Sequence, residues 1–326
     1  MNNPATIEVS VIIPCYNYAR YLPEAVASVV AQTCDAWELV IVDDGSQDES
    51  LAVAQQLRAQ YAGRRIRLLT QPNSGLSAAR NSGAVVARGS YLLFLDADDM
   101  LAPELLARAL PLLRDQPQVG FVYTGFQLFG DDSTVWPSVP FDLRLLRLDN
   151  YIHPPALTRR CAWQQAGGFD LRMPFYEDWD FWLRLAAAGW RGQHIDAPLV
   201  YYRRHGSSLI GRTGSYVWDA RAHIIRKHPR LYGARLAAWA TARCARDRLP
   251  RPPAALSGPP APRELDVPTV SATAPPLPFA PPPLAPGQAP LARRLVRAVP
   301  FGLRFRVKCW LRRLQLAARA TGLWDR

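Results

Sequence analysis

The chain is poor in the residues that staple small secreted proteins. Its 326 residues contain five cysteines (Cys15, Cys34, Cys161, Cys244, Cys309), an odd number, scattered and without a C-x-x-C pair. That excludes a disulfide framework or a Cys-based zinc site, and it suits a reducing compartment. No apolar run approaches the ~18 residues of a membrane-spanning helix. The opening "MNNPATIEVS" lacks the basic start and apolar stretch of a secretory leader, so a cytoplasmic location is expected. No G-x-G-x-x-G follows the first apolar strand, where the chain reads "PCYNYA". This argues against a dinucleotide-dependent oxidoreductase. The body also lacks excess charge. Of the formal +12, residues 267–326 hold ten Lys or Arg against one acid, Asp325, a net of +9. Basicity belongs to a tail whose cations alternate with bulky aliphatics, so nucleic acid is not expected as a partner.

What is present is an alternation of strand and helix patterns. "VSVIIP" (9–14) and "ELVIVD" (38–43) are continuous, β-branched apolar runs of the kind found in buried parallel strands. Helical spacing covers 21–32, 50–61 and 76–87, with further strands at 66–70 and 91–95. Strand–helix–strand repetition predicts an α/β fold, a mostly parallel sheet flanked by helices. Ligands of such sheets gather beyond the carboxyl ends of the strands. There fall "PCYN" (14–17), "VDDGS" (42–46) and "LDADD" (95–99). Farther on, Trp179, Trp182, Leu183 and Ala186 mark an amphipathic helix.

Several residues in these clusters suit chemistry. On an extended strand Asp96 and Asp98 point the same way, and two such carboxylates can share a hard divalent cation. The competing reading is a solvated loop with aspartate as turn former. Asp43 and Asp44 end another core strand and either hold a ligand N–H or O–H or, with Ser46 or Asp48, start the next helix. Tyr16 offers an aromatic face. Glu177 and Asp178 enter a helix, where acids also complement the helix dipole. Arg203, Arg204 and His205 follow a strand, and a lone His is more often structural than a ligand.

Five blocks in order, "VSVIIPCYNYARYLPEAVASVVAQT", "ELVIVDDGSQDES", "NSGLSAARNSG", "GSYLLFLDADD" and "GGFD…YEDWDFWLRLAAAG", resemble family 2 glycosyltransferases of GT-A fold over about residues 7–205. The resemblance implies sugar transfer from a nucleotide diphosphosugar, UDP-linked in the expected case, to an acceptor hydroxyl with Mn²⁺ or Mg²⁺. It further implies inversion by single displacement, without a covalent sugar–enzyme intermediate. Pro14, Tyr16, Asn17, Asp43, Asp44, Asn73, Arg80, Asp96 and Arg203 would bind the nucleotide sugar. Asp96, Asp98 and His205 would hold the metal, with Asp98 the more direct ligand. Asp178 would be the general base with Glu177 orienting the acceptor, Asp180 the next candidate, and Trp179 a floor for the acceptor sugar. Expected acceptors are glycans or lipid-linked glycans of bacterial surface polysaccharide or glycoconjugate synthesis. The rival expectation is a catalytically silent scaffold or binding protein of the same fold.

The organisation expected is a transferase domain over 1–245, with a nucleotide half to about 125 and an acceptor half over 126–245. A Pro-rich linker, 246–290, follows, then a basic amphipathic tail, 291–326. Residues 250–290 hold fifteen of the thirty prolines, so an extended spacer without sheet ladders is expected there. In the tail, Val307, Trp310, Leu311 and Leu314 form an apolar stripe flanked by Arg306, Lys308, Arg312 and Arg313. This is the pattern of an interfacial helix on anionic lipid, which would make the protein peripheral on the inner face of the cytoplasmic membrane. A small helix docked on the domain is the alternative.

Overall fold

The computed structural model describes residues 6–173, 175–205, 217–246 and 262–265. Four parallel strands form the first half of the sheet: β1 (Val9–Cys15), β2 (Trp37–Asp43), β3 (Ile66–Thr70) and β4 (Tyr91–Phe94). All seven residues of β1 and of β2 are buried, as expected for strands covered on both faces. Helices α1 (Leu22–Val30), α2 (Ser50–Gln60) and α3 (Leu76–Val86) connect them. These elements match the expected ones to within two residues at each end.

The sheet as a whole is mixed rather than mostly parallel. It continues through β5 (Met100–Leu101), β6 (Val119–Gly130), β7 (Val135–Trp136), β8 (Leu157–Arg159), β9 (Arg191–Arg204) and β10 (Arg263–Glu264). The order is β10-β3-β2-β1-β4-β8-β6-β9-β5, with β7 on β6. β8 runs antiparallel to both β4 and β6, joining the two halves, while β6 and β9 are parallel. The remaining helices are α4 (Leu105–Asp115), α5 (Leu143–Leu146), α6 (Arg160–Ala166), α7 (Glu177–Ala187), α8 (Val217–Lys227), α9 (Pro229–Tyr232) and α10 (Ala234–Cys244).

Strand β10 corrects one expectation. It lies inside the Pro-rich stretch yet pairs with β3, Arg263 opposite Thr70 and Glu264 opposite Leu69. Proline is confined to sheet edges because it cannot donate to a ladder, and here the pairing residues, Arg-Glu, are the non-proline ones. Arg67 holds Glu264 through two 2.7 Å hydrogen bonds, and Arg58 Nη1 donates to the Leu265 carbonyl at 2.7 Å. The tail 291–326 and most of the linker lie outside the described residues.

Helix α3 lies close over β1 and β2 because position 83 is glycine. A Cβ there would meet Ile12 Cγ2 at 2.4 Å and Val42 Cγ2 at 3.1 Å. Asn81, two residues earlier, exchanges two 2.8 Å hydrogen bonds with the backbone of Phe169, tying α3 to the loop before α7. That seating sets the depth of Arg80, the residue before Asn81. Gly83→Ala should therefore cost roughly 1–3 kcal/mol through overpacking, read as a lower midpoint in urea unfolding with unchanged slope; an unchanged midpoint would mean the helix has room.

Candidate functional site

Strands β1 and β2 end level, Cys15 opposite Asp43, and the parallel β4 ends a little earlier on the same side, Phe94 opposite Ile12, so their three polar turns share one edge. The turn after β1 is stitched to the turn after β2. Asn17 adopts φ +57°, its Oδ1 accepts from the Gln47 amide at 2.7 Å, and its own amide donates to Ser46 Oγ at 3.1 Å. Asn17 thus shapes the edge, while Tyr16, 40% exposed, stands free over it. Pro14 pairs with Val42 within the ladder, and Asn73 is exposed on the next turn.

The two aspartates ending β2 divide the work. Asp44 is buried, and its carboxylate accepts from Gln71 Nε2 (2.7 Å), the Ser74 amide (2.9 Å) and the Gly75 amide (2.8 Å). It clips the turn that starts α3. Asp43 is buried too, but its Oδ1 has no partner among the described residues. A buried acceptor left unpaired is costly, so Asp43 is the carboxylate of the pair most in need of a ligand N–H or O–H.

The acidic turn departs from the extended geometry expected of it. The chain turns at Ala97–Asp98, the Asp99 amide donating to the Asp96 carbonyl at 3.0 Å, so the carboxylates diverge. Asp96 accepts from Arg80 Nη2 at 2.7 Å. Asp98 Oδ2 lies 2.9 Å from His205 Nε2. Asp99, buried, accepts from the Arg203 amide at 2.9 Å. Burial, then mutual repulsion, pushes Asp98 above the usual carboxylate range and Asp99 well above it, as expected for like charges crowded out of water. The Arg203 guanidinium is engaged within the protein: Nε donates to the Asp98 carbonyl at 2.9 Å, Nη2 to Glu24 at 2.7 Å, and the group lies over the Tyr21 and Phe129 rings. It fastens the end of β9 to the acidic turn.

Arg80 joins the two halves of the site. At 1% exposure it spans 2.7 Å contacts to Asp96 and to Glu177, and it lies over the Phe169 ring. The neighbouring acids outweigh burial and keep it charged. Glu177 opens α7, preceded by Tyr176 in the left-handed region at φ +61°, a conformation that costs energy for a non-glycine residue and clusters at functional sites. Next to it, Asp178 accepts from Asn150 Nδ2 at 2.7 Å and from the Trp179 amide at 2.8 Å. Burial, then the charge of Glu177, raises its pKa to about 7, with Arg80 and the two donors opposing. The helix dipole alone would have kept this carboxyl acidic; burial overrides it.

Two further expectations for α7 fail. Trp179 does not floor an acceptor: it is 2% exposed, with Nε1 donating to the Leu146 carbonyl at 2.6 Å and Arg221 over its ring. Asp180 is not a spare base: fully buried, it is held by Arg184 (2.8 Å), Lys227 (2.7 Å) and His228 (2.8 Å), which keep it below the usual carboxylate range. It anchors α8 onto α7. Conversely, Asn150, Tyr18, Tyr21 and His153 gather at the site without having been singled out. Only the resemblance in chain order could have pointed near Tyr18 and Tyr21, while Asn150 and His153 arrive through long-range folding.

A divalent cation fits this donor set in chemistry. Among the described residues no three or more His, Cys, Asp or Glu side chains form a protein cage for a metal. A carboxylate–imidazole pair, Asp98 with His205, beside Asp96 suits Mn²⁺ or Mg²⁺ whose remaining ligands are phosphate oxygens and water.

Because Arg80 alone among the described residues faces both Asp96 and Glu177 across the site, Arg80→Met strands two carboxylates. A loss of ~3–5 kcal/mol is expected in chemical unfolding. Arg80→Lys should not restore it, since one ammonium cannot reproduce the planar fork. A loss under ~0.5 kcal/mol in the methionine variant would mean the bridge holds little.

The model of "Glycosyl transferase family 2" matches residues 10–166. A PGL/p-HBAD biosynthesis glycosyltransferase of Mycobacterium tuberculosis (strain ATCC 25618 / H37Rv) is 37% identical over 177 residues, 54% of this chain and 68% of that protein. A putative glycosyltransferase, EpsE, of Bacillus subtilis is 29% identical, covering 65% of this chain and 78% of that protein. Among solved structures, S. aureus TarS 1-349 in complex with UDP-GlcNAc superposes with TM-score 0.58 at 19% identity, covering 73% of this chain and 71% of that one. The mannosyltransferase PcManGT from Pyrobaculum calidifontis, in complex with GDP-Man and Mn²⁺, gives TM-score 0.54 at 21% identity, covering 98% and 88%. Sequence and fold agree: the chain belongs to glycosyl transferase family 2.

Proposed function

We propose that the protein transfers a sugar from a UDP-linked diphosphosugar to an acceptor hydroxyl with inversion, in bacterial surface polysaccharide or glycoconjugate synthesis. The observation that carries this reading is the juxtaposition across Arg80: a carboxyl with pKa about 7, Asp178, beside Glu177, and Glu177 bridged to Asp96 of the acidic turn. A general base works best with a pKa near the operating pH, and Asp178 has that property through burial. The named partners of two fold neighbours, UDP-GlcNAc and GDP-Man with Mn²⁺, lend support.

In this reading the base of the nucleotide lies against Tyr16, with an N–H donated to Asp43 Oδ1. Asp98 and His205, assisted by Asp96, would hold a divalent cation, which when bound would neutralise charge on the departing diphosphate. Asp178 takes the proton of the acceptor hydroxyl as its oxygen bonds to the anomeric carbon, the bond from that carbon to the diphosphate oxygen breaks, and the nucleoside diphosphate leaves. Asn150 and the Trp179 amide fix the orientation of Asp178 through one oxygen each, leaving lone pairs for the proton. Arg80 limits repulsion between Asp96 and Glu177. A scaffold that had lost turnover would have no need to keep a carboxyl at this pKa, which favours the enzyme over the rival reading.

The decisive test is nucleotide release from a panel of nucleotide sugars with Mn²⁺. Release should be abolished by EDTA and cut by about 10²-fold or more in Asp178→Asn. Asp178 works ionised and its pKa is raised, so the rate should fall as pH drops through about 7. Release indifferent to EDTA, or to pH between 5 and 8, would sink the reading. The tail belongs to the same proposal as an anchor near lipid-linked acceptors, on its apolar stripe of Val307, Trp310, Leu311 and Leu314 flanked by Arg306, Lys308, Arg312 and Arg313. The full chain should float with anionic liposomes and a 1–248 chain should not; equal behaviour discards the anchor.

A further inference from the structure

A cavity of about 430 Å³ opens beside Asp178, lined by Phe126 and Leu128 of β6, Trp136 of β7, Asn150–Tyr151, His153 and Tyr202 of β9. Its position follows from glycine at 125. A Cβ there would meet the Trp136 carbonyl at 2.6 Å and the Ser138 amide at 2.9 Å, so only glycine lets the β6–β7 hairpin fold this tightly. Tyr123 Oη and Ser138 Oγ pin the hairpin through the Val139 and Ile195 carbonyls, at 2.6 and 2.7 Å. The hairpin then presents Trp136, 36% exposed, with its ring parallel to Phe126 at 6.0 Å and 7°.

The cavity meets the reacting groups on two sides. Asn150, in its wall, donates to Asp178 at 2.7 Å. On the other side, His153 and Tyr202, 5.3 Å apart ring to ring, feel the charge of Asp96. Burial holds His153 down at about 4, so this wall is uncharged at neutral pH. The lining is thus a set of aromatic faces with a few polar groups, Asp132, Thr134, Asn150 and Arg204, around them.

We infer that this cavity is the acceptor subsite, and that it takes a pyranose ring laid on Trp136, placing one ring hydroxyl toward Asp178. The inference rests on the transferase reading above and names what that reading leaves open. An aromatic face matches the C–H face of a pyranose, while side-chain amide, guanidinium and carboxylate groups meet its hydroxyls, the usual division between apolar walls and a few orienting polar groups. The nucleotide is accounted for at the ends of β1 and β2. The cavity volume lies within the range of small-molecule sites.

The test uses the full chain, the donor found by the panel above and a set of methyl pyranosides as probes. Wild type should release nucleotide faster with at least one pyranoside. The pyranoside concentration giving half-maximal stimulation should rise about tenfold in Trp136→Ala, rise similarly in Trp136→Leu, and return toward wild type in Trp136→Phe. A cooperative melt certifies each variant as folded, and the leucine variant, which keeps bulk, carries the question should the alanine variant not fold. Half-maximal concentrations within twofold of wild type in both would overturn the proposal. So would donor hydrolysis that no pyranoside accelerates, which would leave the transferase reading standing with an acceptor of another class. Absence of hydrolysis or binding of every donor by wild type would remove the transferase reading, and this one with it.

Discussion

The site depends on one buried cation. Arg80 is withdrawn from water, and a guanidinium in that position is tolerated only because two carboxylates meet its fork at 2.7 Å. Those carboxylates come from opposite halves of the chain: Asp96 follows β4 of the parallel half, and Glu177 opens α7 beyond the antiparallel joint. The pair of contacts therefore fixes the distance between the acidic turn and the candidate base without either touching the other. Glycine at 83 and the Asn81–Phe169 backbone exchange set the depth at which this can occur.

Around that bridge the protein concentrates negative charge that it only partly balances. Asp98 is raised by burial and Asp96, Asp99 by burial, Asp98 and Asp96, and Asp178 by burial and Glu177. Against them stand His205 beside Asp98 and the Arg203 amide and guanidinium on the acidic turn. Such an imbalance is unfavourable in an empty site and becomes favourable when a cation and a proton donor arrive. By contrast, Asp180, about half a turn along α7, is surrounded by Arg184, Lys227 and His228. Carboxylates two residues apart on one helix thus serve binding chemistry and architecture, and only their neighbours distinguish them.

What could be read in the sequence was what depends on local order. Strands β1 to β4 and helices α1 to α3 lay within two residues of the expected positions, because continuous β-branched runs and 3.6-residue periodicity report burial directly. The sharing of one edge by the three polar turns followed from parallel topology. The acidic turn was legible as a cluster but not as a shape, since a turn at Ala97 reverses the alternation assumed for an extended strand. Trp179 and Asp180 were misjudged because a helix pattern tells which residues share a face, not what covers it; Leu146 and Lys227 do so from distant segments.

Residue type and spacing determined the fold class and the strand ends that carry carboxylates, and the resemblance of five ordered blocks pointed to the family. Tertiary structure alone decided which carboxylates face each other across Arg80, that Asp43 rather than Asp44 keeps an unpaired oxygen, and that the dipeptide Arg263-Glu264 extends the sheet inside a Pro-rich stretch. It also decided that Asp178 titrates near neutrality. The physical reason is common to all four: charge partners, burial and edge pairing depend on contacts between residues 16 to almost 200 positions apart, and no local pattern in the chain encodes what will stand opposite.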